Sequence, residues 1–306
     1  MNGILVVNKP SGFTSHQVVA AVRRLTGIKK VGHTGTLDPE VRGVLPLCIG
    51  SATRVAEYML DQSKAYHAEM TFGFATNTQD SSGTVTERVD RVVLNEEDIR
   101  RVFARFTGTI VQTPPAFSAV KIQGKRAYDL ARQGVDVEIP QRQVTIHSLQ
   151  IEKMDLERED PKIVFTVECS KGTYVRTLCH DIGRALGVPA HMSQLIRTRS
   201  GPYRLEDSYT LEEIDVACAE GRFAELLLSA STAVSYMPLY RIKKSQEHRV
   251  ANGMPLRVPY LKGFEGLQIG ERIRVEDDSA RLLAVYRIVA HTNHGIDTKP
   301  EKVFRE

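Results

Sequence analysis

Residues 29–50 read KKVGHTGTLDPEVRGVLPLCIG, and this stretch constrains the chain more than any other. Gly32, Gly35 and Gly43 open backbone angles that other residues avoid, while Pro39 fixes its own φ and biases Asp38 away from the helical region. The first half is therefore a poor helix and a poor strand. The second half, Val44–Ile49, is an apolar run of strand length. Such a pattern predicts a shaped loop held against a buried strand, with Asp38 on the loop. An Asp-Pro pair alone signals no more than a turn, but a loop on a rigid scaffold is also where chemistry is placed.

The flanking segments supply that scaffold. Ile4–Val7 reads as a short buried strand, followed by a turn at Lys9-Pro10-Ser11-Gly12. Thr14 or Ser15 then caps a helix with Val18, Val22 and Leu25 at helical spacing, stopped by Gly27. Ala52–Leu60 reads as a short helix, Tyr66–Phe74 as a half-buried strand and Asn95 as the cap of a helix bearing Ile99, Val102, Phe103 and Phe106. Pro114-Pro115 excludes helix and central strand, and Ala127–Gln133 reads as a helix. Val144–Met154 and Lys162–Ser170 are predicted strands, joined by a polar turn at Asp155–Asp160. A helix is predicted from Lys171–Leu178 onward to Leu186, then short helices at Ala190–Arg197 and Leu211–Glu220. Beyond about Ser235–Tyr240 the pattern turns to short strands, Glu271–Val275 and Leu282–Val289, around a turn at Asp277-Asp278.

The 306 residues suffice for one large domain with a small one, or for two medium domains. A net charge of +4 only suggests an anionic partner, but its distribution says more. Basic residues outnumber acidic ones in residues 1–60 and in 171–204, leaving the middle acidic, which favours a basic face for nucleic acid. Cys48, Cys169, Cys179 and Cys218 form no C-x-x-C pair and read as reduced, small hydrophobes in a cytosolic protein. The apolar N-terminal run is too short for a signal peptide, and no run reaches the ~18 residues of a membrane span.

The string GHTGTLDPEVRGVLPLCIGSATR resembles the catalytic motif of the TruB family of tRNA pseudouridine synthases. Further strings carry the likeness: LVVNKPSGFTS at 5–15, where Asn8 stands in place of the usual aspartate, KAY at 64–66, FGFATNTQD at 72–80, QTPPAFSAVK at 112–121 and KGTYVRTL at 171–178. The resemblance covers nearly the whole chain. It implies a mixed α/β (α+β) fold, with a largely antiparallel sheet flanked by helices in residues 1–238. It also implies a small C-terminal β-barrel-like module of the PUA type in 239–306. The activity implied is isomerisation of the TΨC-loop uridine 55 of tRNA by a cytoplasmic monomer.

The resemblance makes Asp38 the essential catalytic residue, with Tyr66 on the extruded base. His33 would support the vacated place, and Tyr174 and Leu195 would line the pocket. Arg176 answers a physical difficulty: burying a bare carboxylate raises its pKa, and a guanidinium beside Asp38 keeps it charged. Whether Asp38 attacks as a nucleophile or acts as a base stays open at this level. Lys9 and Arg197 are expected to contact substrate, and Arg199, Lys121, Lys125 and Arg126 are candidates for the RNA backbone. Pseudouridine formation involves no redox change and activates no water, so neither cofactor nor metal is expected. The chain has no G-x-G-x-x-G, Walker loop, H-E-x-x-H or zinc-spaced cysteines. A tRNA-binding protein without chemistry and a metal-assisted aspartate hydrolase are the rival classes.

Overall fold

The structure is a computed structural model that describes residues 1–118, 120–122, 124–133, 135 and 138–304. Strand β1 (Gly3–Lys9) is buried along nearly its whole length. Helix α1 (Ser15–Thr26) opens with a reciprocal capping box between Thr14 and Gln17 and ends on Gly27 at φ +70°. Each is dictated locally: the Thr14 hydroxyl and Gln17 amide satisfy orphan donors, and glycine takes the left-handed exit. After β2 (Val31–His33) and the Asp38 loop comes β3 (Arg42–Ile49), the apolar run. A single 52–60 helix does not form. A 3-10 turn over Gly50–Val55 precedes a short α2 (Ala56–Leu60).

Strand β4 (Lys64–Phe72) stops at Gly73, whose φ of +108° breaks the pleat before the hairpin β5 (Phe74–Thr76) and β6 (Val85–Arg88). Helix α3 (Glu96–Arg105), capped by Asn95, buries Ile99, Val102 and Phe103, and the ring of Phe103 meets Phe165 edge-on at 5.6 Å. Then follow β7 (Gly108–Gln112), β8 (Lys121–Ile122), β9 (Lys125–Arg126) and α4 (Ala127–Arg132). Long β10 (Arg142–Asp155) and β11 (Lys162–Cys169) pair antiparallel and lead to α5 (Val175–Ala185).

The next element departs from expectation. Residues expected to form a short helix at Ala190–Arg197 are instead β12 (Ala190–Ser200), paired antiparallel along the length of β4. Its local sequence permits a helix, but β4 offers a ladder of unpaired backbone groups, and tertiary pairing overrides weak propensity. β13 (Tyr203–Arg204) and α6 (Leu211–Ala219) follow, with Thr210 and Glu213 forming a second capping box. The last part holds β14 (Leu239–Arg241), α7 (Glu247–Ala251), β15 (Leu256–Val258), β16 (Arg272–Glu276), β17 (Leu282–Thr292) and β18 (Gly295–Val303).

The chain divides into two compact units. One comprises Met1–Pro39, Val44–Leu60 and Gly201–Glu306, the other Glu40–Gly43 and Asp61–Ser200. In the first, β2 pairs with β3, and β14 to β18 form a five-stranded sheet in the order β14-β16-β17-β18-β15. That sheet has its own core around Ile273, Val275, Tyr286 and Ile296. A second core mixes Ile4, Val44, Val55 and Tyr58 with Met237, Leu282 and Val285. The Tyr58 phenol donates to Glu301, which also receives Arg272 and Arg287. The C-terminal sheet thus has a core of its own and also contributes Leu282 and Val285 to the second core.

In the second unit the strand order is β12-β4-β11-β10-β7, all antiparallel, with Arg42-Gly43 at the start of β3 parallel to Ile196-Arg197. Ile146, Phe165, Val167, Ala68 and Met70 are buried in this sheet, and α5 buries Leu178, Cys179 and Ile182. The cysteines are free: Cys48, Cys169 and Cys179 are buried and Cys218 partly so. No helix among the described residues is long and apolar enough to cross a membrane.

Candidate active site

In the first unit the Asp38 loop is pinned on both sides of the aspartate. Before it, the Ser15 hydroxyl accepts the Leu37 N–H at 2.9 Å and donates to the Leu37 carbonyl at 3.3 Å. After it, the Pro39 carbonyl accepts the Lys9 ammonium at 2.9 Å and the Gly12 N–H at 2.9 Å. Further back, Thr34 ties the loop to the Pro46 carbonyl through its N–H and its hydroxyl. Gly35, at φ +100°, supplies the bend between. Leu37 is buried and Asp38 half-buried. The chain therefore fixes the peptides flanking Asp38 through groups that leave the carboxylate to its own contacts.

Lys9 was expected at the substrate. The structure instead buries it completely, its ammonium held by the carbonyls of Pro10, Phe13 and Pro39. Three oxygens from the Lys9 turn and the Asp38 loop replace the water the cation gives up. Lys9 is a fastener of the loop and not a surface phosphate contact. Lys9→Met should destabilise the protein by about 3 kcal/mol, because it takes the Lys9 ammonium from the carbonyls of Pro10 and Phe13 and leaves Pro39 with the Gly12 N–H alone. Thermal melting checks this, and a melting temperature equal to the parent's would contradict it. His33, half-buried on β2, meets His16 edge-on at 5.1 Å.

In the second unit, register does the positioning. Tyr66 on β4 lies directly opposite Arg197 on β12, and Ala68 opposite Leu195. Side chains two apart on a strand and opposite across an antiparallel pair share a face, so Tyr66, Leu195 and Arg197 lie on one side of the sheet. Arg197 is 2% exposed, and its guanidinium donates a hydrogen bond to the Tyr66 phenol oxygen. Burial pulls the Arg197 pKa down and Tyr66 pulls it back. Here too the expected surface contact to substrate becomes a buried support, in this case behind Tyr66. Nearby Lys64 is also buried, and its pKa falls to about 8, first through burial and then through repulsion from Arg197. Arg199 is partly buried and pairs with Glu168. Lys125 is exposed, while the side chains of Lys121 and Arg126 lie outside the described part.

Tyr174 caps α5, and Arg176 stands in the first turn, 4% exposed. A cation there opposes the helix dipole, so acceptors must hold it. The Arg176 guanidinium donates to the carbonyls of Thr78 at 2.8 Å and Phe117 at 3.0 Å, and its Nε lies 3.8 Å from the Asp80 carboxylate. Asp80 is oriented in turn by the hydroxyls of Thr78 and Ser82. Between them Gln79 takes φ +63°, accepting the Thr177 hydroxyl at 2.8 Å. Sequence reasoning offers Ser15 only as a candidate helix cap and gives Asp80 no role. Each lies inside a quoted motif, but its contact comes from a residue more than 20 positions away.

Comparison with known proteins gives the family. The profile of the TruB family pseudouridylate synthase (N terminal domain) matches residues 23–175, and that of the tRNA pseudouridylate synthase B C-terminal domain matches 176–235. A tRNA pseudouridine synthase B from Geobacillus thermodenitrificans is 47% identical over 100% of both chains. One from Halalkalibacterium halodurans is 46% identical over 99% of this chain and 97% of its own. Among solved structures, a Cbf5-Nop10-Gar1 complex aligns at TM-score 0.76 and 31% identity, over 99% of this chain and 85% of the matched chain. An H/ACA RNP bound to a substrate RNA containing 2′-deoxyuridine aligns at TM-score 0.76 and 28% identity, with the same coverage. With relatives this similar from end to end, and the motif aspartate on a loop fastened at both flanks, the chain belongs to the TruB family of pseudouridylate synthases.

Proposed function

We propose that the protein is an isomerase that converts uridine 55 in the TΨC loop of tRNA to pseudouridine. Identity to synthases of that name along the entire chain is the observation that carries the reading. The reaction breaks the N1–C1′ bond, turns the base over and forms a C5–C1′ bond. N1 gains a proton and C5 loses one to solvent, so no outside reagent enters the balance.

The chemistry assigns the roles. The target base is stacked inside the T arm and must be swung out, at a cost of a few kcal/mol. His33 supports the place it leaves. Tyr66 stacks on the extruded base, a contact of about 1–3 kcal/mol, and its phenol holds or moves a proton near C5. Asp38 acts at the sugar as nucleophile or base, and Arg176 keeps it ionised. Tyr174 and Leu195 line the pocket and exclude water, so a detached base is retained. Lys9 and Arg197 act behind the loop and behind Tyr66. The T arm is recognised mainly by shape and backbone charge, with residues 239–306 as a PUA-type RNA-binding module. The protein works as a monomer in the cytoplasm. Incubation with tRNA tritiated at uridine C5 tests the reading: one tritium per tRNA is released to water without added cofactor. No release, or release from every uridine, overturns it.

A further inference from the structure

Gln112 lies on β7 with none of its surface exposed, an unusual place for a primary amide. Its side chain makes a two-point contact with one residue. The Tyr174 N–H donates to Gln112 Oε1 at 3.1 Å, and Gln112 Nε2 donates to the Tyr174 carbonyl at 3.2 Å. Tyr174 is the N-cap of α5 and makes no side-chain cap bond of its own. Gln112 therefore fixes the backbone where the helix begins, by bonding the N–H and the carbonyl of the N-cap residue itself.

The Tyr174 side chain is held from the neighbouring strand. Arg142 on β10 pairs directly with Gln112 on β7, and its guanidinium carbon lies 4.7 Å from the centre of the Tyr174 ring. Among the described residues its Nε and Nη2 are buried and find no hydrogen-bond partner. A cation in that state is held by the ring face, a stronger contact when desolvated. The Arg176 guanidinium lies 6.0 Å from the same ring centre. One ring is thus shared by two arginines, one on the sheet and one two residues further along the chain.

We propose that Gln112 and Arg142 are positioning residues for the isomerisation: they clamp Tyr174 by backbone and ring, and through it set Arg176 for the chemical step. The proposal rests on the reading of the protein as a tRNA pseudouridine synthase. Its physical basis is geometric. Arg176 sits where the helix dipole repels it, so its aim depends on the fixity of the turn that carries it. A displacement near 1 Å at a reacting centre costs as much as about 100-fold in rate.

The test uses the full-length protein with Gln112→Ala, Arg142→Met and Arg142→Lys, each assayed for tritium release at saturating tRNA and for tRNA binding. Rates are taken per tRNA-binding site, so that partial unfolding does not count as a slower step. The expected result is a fall in kcat of about 10-fold or more in Gln112→Ala and in both Arg142 variants, with tRNA affinity within about 2-fold of the parent. Arg142→Lys is decisive, because lysine keeps the charge and loses the planar face. A parent-like Arg142→Lys with weakened, salt-sensitive binding in Arg142→Met would mean a phosphate contact and overturn the clamp. Unchanged kcat in Gln112→Ala would overturn it too. Should Gln112→Ala fail to fold, Gln112→Glu, which keeps the acceptor and loses the donor, must lower kcat in its place. An inactive parent would sink the functional reading, whereas an active parent with unaffected variants sinks the clamp alone.

Discussion

Asp38→Asn should bind tRNA as the parent does and isomerise it at least about 1,000-fold more slowly, a loss of about 4 kcal/mol of transition-state stabilisation. The substitution keeps shape and removes charge. The bonds that fasten the loop run to the backbone of Leu37 and Pro39 and are untouched by it. Melting should accordingly shift by no more than a few degrees. That separation of effects is informative, since a protein that merely binds or chaperones tRNA would be indifferent to the charge at Asp38. Tritium release and filter binding on the same preparation give both readouts. Turnover within about tenfold of the parent would remove Asp38 from the reaction.

Gly43→Ala should have the largest effect on the fold. Gly43 has φ +109°, and a Cβ there would lie 2.3 Å from the Arg197 carbonyl oxygen and 2.9 Å from its nitrogen. Those atoms are backbone within a paired strand, so no side-chain rotation relieves the clash. The close approach is what lets Arg42-Gly43 pair with Ile196-Arg197. Either the pairing opens or β12 shifts, and β12 carries Leu195 and the arginine behind Tyr66. Strain of this kind is expected to cost about 3 kcal/mol or more, roughly 5–10 °C in melting temperature for a chain of this size. Activity should fall as well, through Tyr66. A Gly43→Ala protein that melts with the parent would show that β12 is free to move and that this register matters less than its geometry implies.

Much of the scaffold was legible because its causes are local. The cap at Thr14, one of the two residues the sequence offers, the Gly27 exit and the Asn95 cap lie within a few residues of the turns they control. The apolar run of β3 and the alternation of β11 are periodic signals that burial bears out. The Asp38 loop was legible for the same reason, since glycine widens and proline narrows the backbone's choices wherever they occur. β12 was not. The segment AHMSQLIRTRS has no strong periodicity, and only the vacancy beside β4 makes it a strand. Once it is one, Arg197 falls opposite Tyr66, a pairing separated by more than 100 residues of chain.

The sequence by itself determined the family, the loop that bears Asp38, the caps and strands around it and the residues worth testing, because motifs and periodicities are properties of neighbours along the chain. Only the tertiary structure decided what the buried polar residues do. Lys9 fastens a loop because three carbonyls converge on its ammonium. Arg197 supports Tyr66 because two strands register there. Gln112 clamps Tyr174 because the end of β7 meets the start of α5. A buried charge or amide takes its role from the partners that replace its water, and those partners are brought together by folding rather than by position in the sequence.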